Sequence, residues 1–176
     1  EVWPVEKIKA LVDQAHAAGL TMEVIESVNI HDDIKIGTPA RDRYIENYKQ
    51  TIRNLAGFGV KVICYNFMPV FDWMKNDMNY VLPDGSLTMA FEKSGIDKSL
   101  EEVVKEVLDN ANGFALPGWE PERLAKVQEL FARYSGVDDT KLRENLFYFL
   151  REIIPVCEEV GVKMAVHPDD PPYSIF

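Results

Sequence analysis

The chain has 176 residues, 47% of them apolar, which is enough for about one domain with a buried core, and a formal charge of −10 from 19 basic and 29 acidic side chains. No Lys/Arg run or basic stripe offsets that charge, which argues against a nucleic-acid or anionic-membrane partner, and no apolar run reaches the roughly 18 residues that span a bilayer. The opening "EVWPVEKIKA" lacks the charged n-region and apolar h-region of a secretion signal, and Cys64 and Cys157 make no disulfide framework, so a reduced, cytoplasmic setting is expected.

In chain order, Val5, Ile8, Val12 and Ala15 fall on one helical face, Gly19 ends that helix, and a short β-branched run follows to Ser27. A loop with His31, Asp32 and Asp33 leads to a second helical face of Ile45, Tyr48, Ile52 and Leu55, then Gly59 and a buried strand ending near Asn66. Next comes an aromatic-rich loop, "FMPVFDWMKNDMNYVLPDGS", whose Pro-Asp-Gly reads as a turn. A helix is expected from Ser99, whose hydroxyl caps it while Glu102 reaches back, with Leu100, Val103, Val104 and Val107 as its stripe. "LPGWEPERLAKVQELF" reads as another helix with Pro121 in its first turn. Leu146, Phe149, Ile153, Cys157 and Val160 line a further helix, in which Pro155 is expected to cause a kink or start a new segment. Gly161 closes it, and the run Val162 to Val166 forms a strand that must stop at His167, because Pro168 has no N–H for a ladder.

The same helix, glycine, strand plan thus occurs three times, and alternating helix and buried strand means parallel strands with helices packed outside. Both an open doubly wound sheet and a closed barrel use that plan. No G-x-G-x-x-G or G-x-x-x-x-G-K-[ST] follows a strand, so nucleotide phosphate binding has no support. The strand ends near Ser27, Asn66 and His167 lie about 40 and then 100 residues apart, against about 30 per unit of an eight-fold barrel. The second gap therefore contains an insertion, about residues 70–138, of a size typical of a lid or subunit contact. Three strands cannot close a barrel, and a chain that begins with glutamate and stops after "HPDDPPYSIF" reads as a portion of a longer polypeptide.

Chemistry gathers at the carboxyl ends of these strands. His167, with Asp169 and Asp170 in the loop behind it, reads either as a metal-ligating imidazole beside carboxylates or as a strand terminus bonded to its own turn. Tyr65 and Asn66 can donate hydrogen bonds at the next strand end, where Phe67, Phe71 and Trp73 can exclude water; Phe67 and Met68 equally suit plain core. Glu26 and His31 flank a third strand end, with Asp32 and Asp33 read as a solvated acidic loop and His16 as a surface or filler residue on a helix. With no G-x-S-x-G, H-E-x-x-H or zinc-spaced cysteine pair, the residues by themselves specify a parallel α/β fragment with a metal or polyol site.

Taken together, "ENYKQTIRNLAGFGVKVICYNFMPVFDW", "LPDGS", "LPGW" and "VKMAVHPDDPPYSIF" resemble the mannonate dehydratase family, over nearly the whole chain. The resemblance implies a (β/α)8 TIM barrel of the xylose-isomerase-like type, of which this chain is a single partial domain, the N-terminal part. It also implies metal-dependent dehydration of D-mannonate to 2-dehydro-3-deoxy-D-gluconate in hexuronate breakdown, with Mn2+ or Fe2+ as cofactor. By that resemblance His167 is a metal ligand, the other ligands and the catalytic acid and base lie largely downstream, and the fragment alone is inactive. Asn66, Tyr65, Glu26, His31, Arg41 and Asp169 are then candidates for contacts with or around the substrate, a sugar acid, and the insertion is a lid or dimer element. A sugar isomerase or epimerase of the same superfamily, or a non-catalytic sugar-acid-binding domain, are the competing readings.

Overall fold

A computed structural model describes residues 1–70, 75, 77–92 and 127–170. The helix expected from Ser99 and the helix start expected at Pro121 lie outside them. The first helix, α1 (Val5–Ala17), buries Ile8 and Val12, while Val5, expected on the same face, is exposed at the helix start. After β1 (Val24–Ile25) the His-Asp-Asp stretch forms a short helix, α2 (Asp32–Ile36), where the sequence reading has a loop. His31 makes that helix possible: its Nδ1 accepts the Asp33 N–H at 3.1 Å, satisfying one of the donors that a helix start leaves open. Gly37 ends α2 with φ of 81°, a left-handed conformation in which its N–H and that of Thr38 both reach the Asp33 carbonyl.

The next helix, α3 (Arg41–Ala56), buries Ile45, Tyr48, Ile52 and Leu55, the face its periodicity predicts, and leads into β2 (Val62–Tyr65). The supposed loop that follows contains a strand, β3 (Asp77–Val81), paired antiparallel about the Pro-Asp-Gly turn with β4 (Leu87–Ala90) just beyond it. Asp84 Oδ1 accepts from the Ser86 N–H at 3.0 Å inside that turn. Helix α4 (Val127–Tyr134) realises the later part of the "ERLAKVQELF" pattern.

One helix, α5 (Asp139–Val160), then runs straight through Pro155, so no new segment starts there. Its N-terminus is capped by Asp138, whose carboxylate accepts the Lys141 N–H at 2.7 Å. An interior proline costs about 3 kcal/mol, but Phe149, Ile153, Val156 and Cys157 are buried on both sides of it, and each such side chain contributes about 1.5–3 kcal/mol. Burial wins. Gly161, with φ of 73°, turns the chain into β5 (Lys163–Val166).

The three-stranded sheet has the order β1-β2-β5, with both pairings parallel. Ile25 aligns with Ile63 and Ile63 with Met164, so these share a face, and α1, α3 and α5 pack on it with Phe149 at the centre, completely buried. Phe149 meets Tyr48 edge-on at 5.0 Å and also abuts Tyr65 and Phe67. On the other face Cys64 aligns with Ala165, both half-buried, and Val24 at the β1 edge is 54% exposed. Among the described residues the helices thus cover one side of the sheet and leave the other open, and no helix is long and apolar enough to cross a membrane.

Candidate metal and ligand site at the strand ends

The alternation along each strand carries the open face forward to Glu26, Asn66 and His167. The ladder continues one step past β5, where the His167 N–H donates to the Tyr65 carbonyl at 2.7 Å, and this bond sets where the imidazole emerges. The ring's own geometry sets its tautomer: Nδ1 lies 2.9 Å from the Pro168 carbonyl oxygen, which can only accept, so Nδ1 carries the proton. In the neutral ring Nε2 is then the nitrogen left to accept, on the open face and 3.9 Å from Glu26 Oε1. A neutral imidazole fixed through its second nitrogen is what a divalent cation requires of a histidine ligand.

Asp169 stands next to this pair. Burial pushes its carboxyl above the usual aspartate range, and the opposing pull comes first from the Lys35 ammonium and then from His167. Asp170 is held by Lys75, which joins the loop after β5 to the chain leading into the hairpin. Asn66 is half-buried at the end of β2. Among the described residues no group of three or more His, Cys, Asp or Glu side chains is placed to hold a metal ion, so His167 fits as one ligand and the described part of this chain does not form a full set.

The remaining sequence candidates are placed elsewhere. Tyr65, expected to offer its hydroxyl to a ligand, instead turns its ring to the helix side and packs against Phe149, because its register pairs it with the buried face. Burial raises its phenol above the ordinary range. Arg41 lies with its guanidinium 3.6 Å from the centre of the Tyr148 ring and beside Asp42, a stack between α3 and α5. His31 stacks on Tyr44 at 3.6 Å while capping α2, and burial holds its imidazole below the usual histidine range, against the raising effect of Asp33 and Asp32. Asp32 and Asp33 are not a solvated loop: Asp32 accepts from the Tyr134 hydroxyl at 2.7 Å and Asp33 from Arg133 at 2.6 Å. Both partners lie about 100 residues away on α4, so the end of the insertion is tied to the first turn of α2, where the loop after β1 ends.

A cavity of about 620 Å³ lies between α1 and that loop, bordered by Trp3, Lys7, Asn29, His31 and Lys35, but not by Glu26, Asn66, His167 or Asp169. Lys35 is the residue sequence reasoning missed. It sits in the polar string "HDDIK", and only the flanking isoleucines hint that this lysine is inside.

With the site described, its relatives can be compared. A profile of the D-mannonate dehydratase (UxuA) family matches residues 1–176. The chain belongs to the D-mannonate dehydratase family. Mannonate dehydratase of Lactococcus lactis subsp. cremoris is 65% identical over 176 residues, covering all of this chain and 49% of that protein. The enzyme of the same name from Thermotoga neapolitana is 60% identical over 177 residues, again covering the whole chain and 49% of the relative. The crystal structure of mannonate dehydratase from Streptococcus suis serotype2 aligns with a TM-score of 0.79 at 43% identity, covering all of this chain and 45% of that one. The chain therefore spans about half the length of the curated relatives it matches.

Proposed function

We propose that a full-length protein containing this chain dehydrates D-mannonate to 2-dehydro-3-deoxy-D-gluconate, a step of hexuronate breakdown, and binds Mn2+ or Fe2+ through His167. The observation that carries this reading is the 56–65% identity, along the whole chain, to proteins named mannonate dehydratase. The geometry suits it, since His167 Nε2 is free for a metal on the open face, with Glu26 beside it and Asn66 on the same face.

The architecture supporting that site is a (β/α)8 barrel interrupted by an insertion of about residues 70–138. Among the described residues, parallel strands in sequential order, helices on one side and unpaired outer edges on β1 and β5 support this. The exposed Val24 and the 63%-exposed Val166 at those edges are surfaces that further strands and helices would cover.

When bound, a divalent cation stabilises the negative charge that develops as the proton beside the mannonate carboxylate leaves. In this chain His167 would present an imidazole fixed through Nδ1, Glu26 would set a carboxylate beside it, and Asn66 would offer an amide to a sugar hydroxyl. Assembly as a homodimer and a place in the cytoplasm belong to the same reading, and the free thiols of Cys64 and Cys157 suit a reducing compartment.

The test is turnover of D-mannonate by the full-length protein after chelation and again with manganese restored, following the keto-deoxy acid, together with the manganese content of His167→Ala. Metal-dependent product and loss of manganese from the variant are expected. A folded, metal-loaded protein that gives no keto-deoxy acid would remove the dehydratase reading, and an isomerised sugar in its place would favour the isomerase alternative.

A further inference from the structure

Lysine is almost never fully buried, yet Lys35 is 4% exposed in the middle of the molecule. Its Nζ donates to the Met68 carbonyl at 2.8 Å, in the loop that follows β2 two residues after Asn66. Its own carbonyl accepts from Asn145 Nδ2 at 2.8 Å, and Asn145, on α5, is only 2% exposed. A hydrogen-bonded path therefore runs from α5 through α2 to the loop beside the open face. A buried ammonium is far more costly than the alkyl chain of a methionine that would fill the same space, so packing alone does not account for a lysine here.

We propose that Lys35 is a positioning residue for the strand-end site, its buried side chain tying the loop that carries Asn66 to α2 through the Met68 carbonyl. The proposal rests on the reading that this site is catalytic. It assigns to Lys35 no contact with substrate. Its effect is on where Asn66 stands when the substrate arrives, and displacements of about 1 Å in such a position cost up to about a hundredfold in rate.

The experiment compares Lys35→Met and Lys35→Gln with the wild type in the full-length, manganese-loaded protein. Methionine removes both donor and charge, whereas glutamine keeps a donor for the Met68 carbonyl. Four quantities are read: kcat and KM for D-mannonate, bound manganese, and hydrogen exchange in segment 66–70. Lys35→Met is expected to lower kcat about 10- to 100-fold with KM and manganese content little changed, and to raise exchange in that segment while exchange elsewhere stays the same. Lys35→Gln is expected to recover protection in 66–70 and much of kcat. Wild-type kcat in Lys35→Met, whatever its melting temperature, would overturn the proposal, as would equal losses in both variants. Insolubility of both would assign Lys35 to folding and overturn it too. If the wild type itself fails to dehydrate mannonate, the functional reading falls separately. The exchange data then decide: loosening confined to that loop supports the tie, and unchanged exchange refutes it.

Discussion

Replacing Gly37 with alanine probes the junction on which α2 depends. A Cβ at Gly37 would lie 2.5 Å from Asn145 Oδ1, 2.8 Å from Nδ2 and 2.9 Å from Cγ, all closer than real carbons approach. Asn145 cannot swing away freely, because its amide is buried and donates to the Lys35 carbonyl at 2.8 Å. Moving it leaves a buried acceptor unpaired, at about 1–3 kcal/mol. The backbone adds its own cost: φ is 81°, and a Cβ in the left-handed region costs about 1–2 kcal/mol. Gly37→Ala should therefore destabilise by about 2–5 kcal/mol, a large share of a typical stability of about 5–15 kcal/mol. Asn145→Ala alone should cost about 1–3 kcal/mol through the orphaned carbonyl. In the double variant the overlap is gone and that carbonyl is already unpaired, so adding Gly37→Ala should cost only the backbone share, about 1–2 kcal/mol. The four proteins are compared by equilibrium urea denaturation of the full-length form. A coupling of about 1 kcal/mol or more is expected, whereas additivity within about 0.5 kcal/mol would show that Asn145 moves aside without penalty and would refute the argument.

His31 should make stability depend on pH. Because burial holds its folded-state pKa below the ordinary 6.5, the unfolded chain binds the proton more readily, so this contribution is complete above pH 6.5 and lost as pH falls through the folded value. Denaturation midpoints between pH 8 and pH 5 should fall less steeply for His31→Asn, which keeps a capping oxygen without titrating; an unchanged slope would count against the assignment. Phe149→Ala empties the centre of the aromatic cluster around Tyr48, Tyr65 and Phe67 and should cost about 3–5 kcal/mol in the same assay; a loss under about 1 kcal/mol would mean the core closes over the gap. Arg41→Lys breaks a stack on Tyr148 and should cost up to about 1 kcal/mol in stability with KM for mannonate unaltered; a large rise in KM would return Arg41 to the substrate site.

Much of the site lies in loops whose function and placement were separable. His167 stood out in sequence because Pro168 must end the strand behind it, and Glu26 and Asn66 because polar residues closed apolar runs. Tyr65 and Arg41 carried the same polar credentials but were drawn into packing, one by strand register and the other by an aromatic ring 107 residues further along the chain. The hairpin of β3 and β4 was missed because "DMNYV" and "LTMA" are largely exposed on both faces, so no alternation of buried and open positions marks them.

Local physics sufficed for the three helix-to-strand units. The helical period of α3 and α5, a left-handed glycine after each helix and β-branched runs are properties of neighbours in the chain, and they led to the parallel α/β class and the strand ends where chemistry collects. Pro155 shows the limit of that reasoning, because a helix is broken or kept according to what its faces bury, and that depends on residues elsewhere in the chain. Tertiary structure alone decided that Asp32 and Asp33 bond to α4, that Asn145 grips α2, and that Lys35 is inside at all. Each is a pairing across a long loop whose energy depends on burial and a matched donor and acceptor. Neither is written in the residues next to it.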